Sequence, residues 1–232
     1  MSSFDANGFQ RYVMPYMGSN MYLTIEGTSA LIIDPHPSGE MEEYLLNRGI
    51  GDVTVFLTHE HFDHTSGVQR LRTLIGNVQV IAHQEAAKIL EIPRNNRPLA
   101  LLKLIDAENR EEILSYYRSF PVVSITVDRI VVSGDVLSWH GRSIRITHCP
   151  GHSPGSILLH VSPQLVFTGD YMIEGVPVIL RYPGGSEEAY KEKTLPYLLR
   201  LEEETYIFPG HGEFHKRGDL VYRDKTFWKM EE

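Results

Sequence analysis

The sequence contains one cysteine, Cys149, and no stretch of about 18 consecutive apolar residues. A single cysteine cannot form an internal disulfide, which is typical of proteins that work in a reducing compartment. The first residues, MSSFDANGFQRY, lack the basic segment and apolar run of a secretion signal. From these absences we expect a soluble, unsecreted, cytoplasmic protein that does not associate with membranes.

An excess of positive charge is also absent. The chain carries 22 Lys and Arg residues against 30 Asp and Glu residues, for a formal net charge of -8. Proteins that grip a phosphate backbone usually present a basic surface, so we expect no nucleic-acid partner. The expected partner is a small-molecule substrate, and the sequence leaves the oligomeric state open.

The length and the apolar content favour one large domain. The 232 residues are 42% hydrophobic, which is enough for a substantial core, and no tandem repeat divides the chain. Short strands and helices alternate in the first 90 residues, which is typical of an α/β fold. The elements predicted there are a hairpin at 21–25 and 30–34, helices at 39–48, 66–75 and 84–90, and strands at 53–58 and 78–82.

Residues 92–120 interrupt this pattern, and we interpret them as a helical insertion. Pro98 can start one short helix with Asn96 nearby as a capping residue, and Asp106 suits the start of a second helix. Beyond the insertion, strands are predicted at 130–132, 136–139, 143–148, 157–161 and 165–168, a helix at 187–201 and a strand at 205–208. The whole chain is thus expected to be one domain.

One face of the second predicted helix is apolar and aromatic. Ile113, Tyr116, Tyr117 and Phe120 fall at the spacing i, i+3, i+4 and i+7, so they lie on the same side of a helix. Such a face usually packs in the core. It can also belong to a cap in which Tyr116 and Tyr117 contact a substrate, because insertions in connecting loops often shape binding sites.

The stretch Thr58-His59-Glu60-His61-Phe62-Asp63-His64 carries the strongest chemical signal. It follows a continuous apolar strand. Alternate side chains of an extended backbone share a face, so we expect His59, His61 and Asp63 to project together, with His64 brought around by the next turn. Imidazole nitrogens and carboxylate oxygens are the ligands that zinc favours, and iron and manganese accept the same set.

Three later segments place a similar side chain at the end of a predicted strand. They are PGHSPGS with His152, TGD with Asp170 and PGHG with His211. Each is a weak signal alone, because glycine, proline and a polar residue are common in turns. It is the ordered set of strand-terminal ligands that indicates a metal site.

This ordered set resembles the signature of the metallo-β-lactamase superfamily, and the resemblance extends from the 21–34 hairpin to His211. It implies a four-layer αββα sandwich with two divalent metal ions at one edge, between the sheets. We expect zinc, with iron and manganese as alternatives. The resemblance implies that His59, His61 and His152 hold the first metal, that Asp63, His64 and His211 hold the second, and that Asp170 bridges them.

In such a site a hydroxide that bridges the metals attacks the scissile bond, and Asp63 is the candidate proton carrier for the leaving group. The nearest pattern is that of hydroxyacylglutathione hydrolases, so we expect hydrolysis of a small thioester, ester, lactone or related bond. The chain has about 20 residues after His211, too few for the C-terminal helical domain of those enzymes, so we do not expect glutathione specificity. Asp170 stands where secreted lactamases use a cysteine, which argues against β-lactamase activity.

The sequence is also compatible with three alternative functions. The first is an iron-dependent oxidoreductase of the same superfamily, similar to persulfide dioxygenases. The second is a phosphodiesterase or nuclease, which the net acidity disfavours. The third is a non-catalytic binding protein, which the complete ligand set disfavours.

Several residues near these motifs receive other interpretations. We expect Cys149 to be a small buried hydrophobe, and His148 and Asp34 to support the ligands from behind. We expect His36 to lie on a loop surface. Ordinary surface or core roles are expected for His83, His140, His160 and His215.

Overall fold

The structure, a computed structural model, describes residues 3–4, 8–105, 108–162 and 164–220. Strands of the N-terminal half form a seven-stranded sheet in the order β1 to β7. These strands are β1 Ser3–Phe4, β2 Gln10–Val13, β3 Asn20–Glu26, β4 Ser29–Ile33, β5 Asp52–Phe56, β6 Asn77–His83 and β7 Arg129–Val131. The first four pair antiparallel, and β4 to β7 pair parallel. The predicted hairpin is β3–β4, and Gly27 supplies the positive φ of 60° that its tight turn needs.

Strands of the C-terminal half form a six-stranded sheet in the order β13-β12-β11-β10-β9-β8. They are β8 Val136–Trp139, β9 Arg142–His148, β10 Ile157–Ser162, β11 Leu165–Gly169, β12 Tyr206–Pro209 and β13 His215–Lys216. Consecutive strands β8 to β11 form the predicted antiparallel meander, while β11 and β12 pair parallel. The parallel pair requires a crossover, which the helical segment between the two strands supplies.

Helices cover the outer faces of the sheets. Those of the first half are α1 Gly39–Asn47, α2 Phe62–Thr65, α3 Val68–Leu74, α4 Gln84–Leu90 and α5 Arg110–Arg118. Those of the second half are α6 Glu187–Ala189, α7 Leu195–Leu199 and α8 Arg217–Leu220, with a π-helical turn at Tyr190–Thr194 joining α6 to α7. The helix predicted at 187–201 is therefore present, but its hydrogen bonding widens for one turn.

The alternation of apolar side chains along the strands explains the layers. Leu31 and Ile33 on β4 face a core shared with Phe167 of the second sheet, whereas Ala30 and Ile32 face the core under the first set of helices. In the second sheet, Leu158 and Val166 likewise turn outward and pack against Leu198 of α7. The result is helix, sheet, sheet, helix, which confirms the predicted αββα architecture.

The segment from 92 to 120 is largely helical. Two 3₁₀ helices, Pro93–Asn96 and Leu99–Leu104, precede α5. The prediction that Asn96 caps a helix is wrong, because its Nδ2 atom donates instead to the carbonyl oxygens of Leu90 and Val123, at 2.8 and 2.7 Å. Asp106, expected at the start of the second helix, lies outside the described residues.

The predicted apolar face of α5 is present and partly buried. Ile113 is 1% exposed and shares a small core with Met14, Phe62 and Leu101, against which Tyr116, Tyr117 and Phe120 pack. Packing is therefore one role of this face. Among the described residues, no helix combines the length and the apolar character needed to cross a bilayer.

Candidate metal centre

The seven predicted ligands meet at one edge of the two sheets, where β5, β9, β11 and β12 end. His59 and His61 follow β5, and His152 follows β9. Asp170 and Gly210 are neighbours because β11 and β12 run parallel with Gly169 opposite Pro209, and the amide of Gly210 donates to the carbonyl of Gly169 at 2.6 Å. Parallel pairing therefore places Asp170 beside His211.

Asp63 and His64 reach the site differently from the prediction. The expected extended backbone ends at His61, and Phe62–Thr65 forms the helical turn α2. Asp63 thus projects from a helix, and not from the strand face that carries His59. Ser19 fixes this turn, because its Oγ atom donates to the backbone carbonyl of Asp63 at 2.9 Å.

One group of ligand atoms comes from His59, His61, His152 and Asp170. One atom of each lies within 4.8 Å of the others. His61 Nδ1 and His152 Nε2 face each other at 2.9 Å, and Asp170 Oδ2 lies 3.3 Å from His152 Nε2. Three imidazoles and a carboxylate that converge in this way match the composition of a catalytic zinc or iron site.

The second group comes from Asp63, His64 and His211, whose ligand atoms also lie within 4.8 Å of one another. Asp63 Oδ2 is 3.5 Å from His64 Nε2 and 3.3 Å from His211 Nε2. Asp170 Oδ1 is 3.2 Å from His64 Nε2 and 3.6 Å from His211 Nε2. Asp170 therefore turns one oxygen toward each group.

Three of the five histidines use their outer ring nitrogen to fix the ring. The outer contacts are His59 Nδ1 with Thr58 Oγ1 at 3.1 Å, His64 Nδ1 with Asp34 Oδ2 at 3.0 Å and His152 Nδ1 with the carbonyl oxygen of Ile179 at 2.8 Å. His61 turns Nδ1 inward instead. Such contacts set the orientation and the tautomer of metal-binding imidazoles.

Asp34 lies close to His59 and His64 but is saturated by other donors. Its oxygens accept from the amide of Thr58 at 2.7 Å and from Thr58 Oγ1 at 2.5 Å, besides the contact with His64. This agrees with the predicted supporting role. Asp34 adopts a φ of 54°, a left-handed backbone that is uncommon outside glycine and is tolerated by Asp and Asn.

Three inward-facing atoms lack the partner that burial normally requires. His59 Nε2, His64 Nε2 and Asp170 Oδ1 are buried without a hydrogen-bond partner among the described residues. His64 Nε2 and Asp170 Oδ1 approach to 3.2 Å but are not aligned for a hydrogen bond. An unsatisfied buried polar atom costs about 1–3 kcal/mol, and one cation in each group of ligands would satisfy all three. The side chains therefore fit a divalent metal ion.

The two groups of ligands differ in their electrostatics: burial alone would lower the pKa of His64 and of His211, but the nearby Asp63 and Asp170 raise both, whereas burial dominates at His59 and His61. Burial lowers the pKa of His61 to about 4 and holds the pKa of His59 well below its usual value, so both rings are neutral and offer a lone pair. Burial alone raises the pKa of a carboxyl, but the nearby imidazoles, His64 first, hold the pKa values of Asp63 and Asp170 well below the usual range. Both carboxylates are thus ionised.

Two glycines let the backbone pass close to these side chains. A Cβ atom at Gly210 would lie 2.5 Å from Asp170 Oδ1 and 2.8 Å from His64 Cε1. A Cβ atom at Gly169, where φ is 55°, would lie 2.7 Å from Thr58 Oγ1. Distances this short are not compatible with a side chain. Sterics therefore explain why glycine occupies position 169 in TGD and position 210 in PGHG.

Three residues near the motifs, Cys149, His148 and His36, were not predicted to be metal ligands. Cys149 is 1% exposed and burial raises the pKa of its thiol to about 12, which confirms a buried hydrophobe. His148 Nε2 contacts the carbonyl oxygen of Pro154 at 2.9 Å and so holds the loop of His152. The surface prediction for His36 is wrong: it is 1% exposed, its Nε2 atom contacts the carbonyl oxygen of Tyr12 at 3.3 Å, and Gly67 packs on its backbone.

Sequence reasoning missed the loop that follows β11. Its Ile179 carbonyl orients His152, and the ring of Tyr182 lies 5.6 Å from the His61 ring and 6.2 Å from the His152 ring. Lys103 also contacts the Tyr182 ring, with Nζ 4.9 Å from its centroid. No spacing marks these residues, since they approach the site only through the fold.

The chain is similar to several proteins of known family. YqgX of Bacillus subtilis, a probable metallo-hydrolase, is 26% identical over 196 residues that cover 84% of this chain and 85% of that protein. The hydroxyacylglutathione hydrolase GloC of Haemophilus influenzae is 27% identical over 194 residues, 80% of this chain and 81% of GloC. The acyl-coenzyme A thioesterase MBLAC2 of Gallus gallus is 31% identical over 159 residues, 66% of this chain and 54% of that longer protein.

Solved structures share the fold. The crystal structure of TTHA1623 in a di-iron-bound form has a TM-score of 0.71 and 26% identity, and the match covers 92% of this chain and 96% of TTHA1623. The B3 metallo-beta-lactamase BLEG-1 has a TM-score of 0.72 at 22% identity over 94% of this chain and 99% of BLEG-1. A sequence model of the metallo-beta-lactamase superfamily matches residues 15–211, and the chain belongs to that superfamily.

Proposed function

We propose that the chain is a hydrolase that binds two divalent metal ions and cleaves a small thioester, ester, lactone or related bond. One observation carries the proposal: the inward-facing atoms of His59, His64 and Asp170 are buried and have no hydrogen-bond partner among the described residues. Zinc, iron and manganese all suit this set of nitrogen and oxygen ligands.

The proposed division of ligands follows the two groups of atoms. His59, His61 and His152 would hold the first metal, Asp63, His64 and His211 the second, and Asp170 would give one oxygen to each. When bound, two such cations lower the pKa of a shared water molecule and polarise the scissile carbonyl. The protein holds its imidazoles in fixed orientations through Thr58, Asp34 and the Ile179 carbonyl.

Asp63 is the proposed proton carrier. Its side chain is 11% exposed, whereas His64 beside it is fully buried. Its Oδ2 atom faces His64 and His211, and the carboxylate is placed to pass a proton to a leaving group. An Asp63→Asn variant that is reloaded to full metal content should still lose about a hundredfold in kcat; full turnover at full metal content would remove this role.

The names of two relatives support an acyl substrate. One is a hydroxyacylglutathione hydrolase and the other an acyl-coenzyme A thioesterase, and both names describe hydrolysis of an acyl group from a thiol carrier. We therefore place thioesters first among the candidates. In this proposal the partner is a small molecule, and neither a nucleic acid nor a membrane is required.

The test is a substrate panel assayed with metal-loaded protein. It contains thioesters, lactones, phosphodiesters and a glutathione persulfide, and we expect metal-dependent turnover of a thioester or ester that His59→Ala abolishes. The matched control is His140→Asn, since His140 is exposed and its φ of 44° suits asparagine. Sulfite release from the persulfide, without hydrolysis, would instead identify the oxidoreductase alternative.

A further inference from the structure

A lysine from the 92–120 segment contacts an aromatic ring that lies beside the candidate metal centre. Lys103 is near the end of the 3₁₀ helix Leu99–Leu104, and its Nζ atom lies 4.9 Å from the centroid of the Tyr182 ring. An ammonium group at this distance from an aromatic face is attracted to the ring's electrons. The position of Lys103 therefore depends on the position of Tyr182.

Tyr182 is in turn fixed against the first group of ligands. Its ring is nearly perpendicular to both imidazoles, at 88° to the His61 ring and 88° to the His152 ring. Its loop is tied to the site three residues earlier, where the Ile179 carbonyl contacts His152 Nδ1 at 2.8 Å. The Lys103 ammonium and the two imidazoles thus all lie near one aromatic ring, that of Tyr182.

The charge of Lys103 is not neutralised by the fold. Lys88, Lys191 and Lys216 form ion pairs with Glu85, Glu187 and Glu204 at 2.6 to 2.7 Å. For Lys103, by contrast, no carboxylate of the described residues lies within 4.0 Å of the ammonium. An exposed lysine left without a carboxylate in a chain of net charge -8 is available to an external anion.

We propose that Lys103, supported by Tyr182, binds a negatively charged group of the substrate while the scissile carbonyl lies at the metal centre. This inference rests on the proposed hydrolase function and narrows its substrate class to anionic acyl compounds. The charged group is a carboxylate or a phosphate, carried either on the acyl chain or on the leaving group. Lys103 and Tyr182 act on specificity, and the bond-breaking step needs neither.

The geometry favours this class over neutral substrates. The Tyr182 ring lies 5.6 Å from the His61 ring and 4.9 Å from Lys103 Nζ. A substrate with its carbonyl at the imidazoles is therefore expected to carry its charge a few bonds away from that carbonyl. Lysine acts as a point charge on a flexible stem and accepts carboxylate and phosphate alike. Arginine at this position should therefore keep the preference for a charged substrate.

The experiment compares charged and neutral substrates that are otherwise alike. Glutaryl and pentanoyl thioesters of N-acetylcysteamine differ in a terminal carboxylate on the acyl chain, and the pentanoyl thioester of coenzyme A adds phosphates on the leaving group. If Lys103 binds a charge on the acyl chain, the ratio of kcat/KM for the glutaryl over the pentanoyl thioester should fall about fivefold in Lys103→Met. If it binds a charge on the leaving group, the ratio for the coenzyme A over the N-acetylcysteamine thioester should fall instead. In Lys103→Arg the affected ratio should stay high. Tyr182→Leu should lower the ratio, whereas Tyr182→Phe should not.

The control variant is Lys216→Met, which removes the same charge and a similar contact elsewhere. Lys216 lies 5.6 Å above the Tyr206 ring, at the opposite end of β12 from His211. It should leave the ratio as in the wild type. An equal ratio in wild type and Lys103→Met for both kinds of charge would overturn the inference while leaving the hydrolase function intact.

Binding without turnover separates the two proposals. Thioether analogues, in which a methylene replaces the thioester carbonyl, are titrated calorimetrically into wild type and Lys103→Met. We expect the charged analogue to lose about fivefold in affinity in the variant, relative to the neutral analogue. If no compound of the substrate panel is hydrolysed, the hydrolase proposal fails, and this titration still decides whether Lys103 binds an anion: an unchanged relative affinity would overturn the role of Lys103.

Discussion

Gly210 shows how closely the backbone and the ligands are packed at the scale of single residues. It lies between Asp170 and His64, and it has no room for a side chain because a Cβ atom would come within 2.5 Å of Asp170 Oδ1. The Asp170 carboxylate would have to move, since His64 Cε1 at 2.8 Å and the backbone carbon of Gly169 at 3.0 Å also crowd the added atom. The orientation of Asp170 therefore requires glycine at position 210, which has no Cβ atom.

From this contact we predict that Gly210→Ala lowers metal affinity at least tenfold and destabilises the fold by about 1–3 kcal/mol. Metal affinity is measured by competition with a chelator, and stability by urea denaturation. Gly39→Ala is the matched control, because nothing lies within 4 Å of a Cβ atom there. Unchanged metal binding in Gly210→Ala would show that Asp170 is not a ligand.

The sequence predicted single residues well where a strand ends and poorly where a loop folds back. His152 and Asp170 follow apolar strands, so hydrophobic patterning located them. His36 and Asn96 depend on packing against distant segments, Gly67 in one case and Val123 in the other. Such contacts have no periodicity, and both predictions were wrong.

Helix α5 carries an apolar face whose contribution to the stability of the fold can be measured. The Tyr116 ring lies 5.1 Å from Tyr16 and 4.9 Å from Phe120. We predict that Tyr116→Ala costs about 1–2 kcal/mol of stability and that Tyr116→Phe, which keeps the ring, stays within about 0.5 kcal/mol. A stability loss in Tyr116→Ala without a changed substrate preference would mean that the face is core alone and not a cap.

The contact between β10 and α7 predicts a pH dependence of stability. Burial lowers the pKa of His160 to about 4, and the neutral ring contacts the Tyr197 hydroxyl at 2.9 Å. In the unfolded chain the pKa is near 6.5, so acid protonates the unfolded state first. The stability due to neutral His160 is therefore present above pH 6.5 and is lost as the pH falls toward 4.

Between pH 7 and pH 5 we expect the wild type to lose about 1 kcal/mol more unfolding free energy than His160→Gln, in which no group titrates at this position. Urea denaturation at several pH values measures this difference. His140→Asn, at an exposed position, should follow the wild type. Parallel pH profiles for wild type and His160→Gln would contradict the buried neutral imidazole.

Elements with a strong period were predicted close to their observed bounds, and short turns were not. The hairpin β3–β4 and the meander β8 to β11 follow from alternation and turn residues. The turn α2 has only four residues, and its FDHT segment also fits an extended strand, so the prediction of an extended backbone through Asp63 was wrong. Contacts from Ser19 decide it, at a separation of 44 residues.

At the scale of the whole molecule, the fold explains why ligands scattered from His59 to His211 form one site. Two sheets packed face to face place the ends of β5, β9, β11 and β12 at a common edge. The amide of Ile157 donates to the Thr58 carbonyl at 2.8 Å and so joins the edge of one sheet to the other. The sequence order of the ligands could be predicted, whereas the loop of Tyr182 required the assembled sheets.

The content of transition metal in purified protein tests the central claim most directly. Elemental analysis of protein isolated without a chelator should find about two zinc, iron or manganese ions per chain, and Asp170→Ala should lower both this number and the activity. Asp128→Ala, at a carboxylate paired with Arg72 away from the ligands, should leave the content unchanged. Less than about half an equivalent of any transition metal, with no activity gained when metals are added, would contradict the two-metal site.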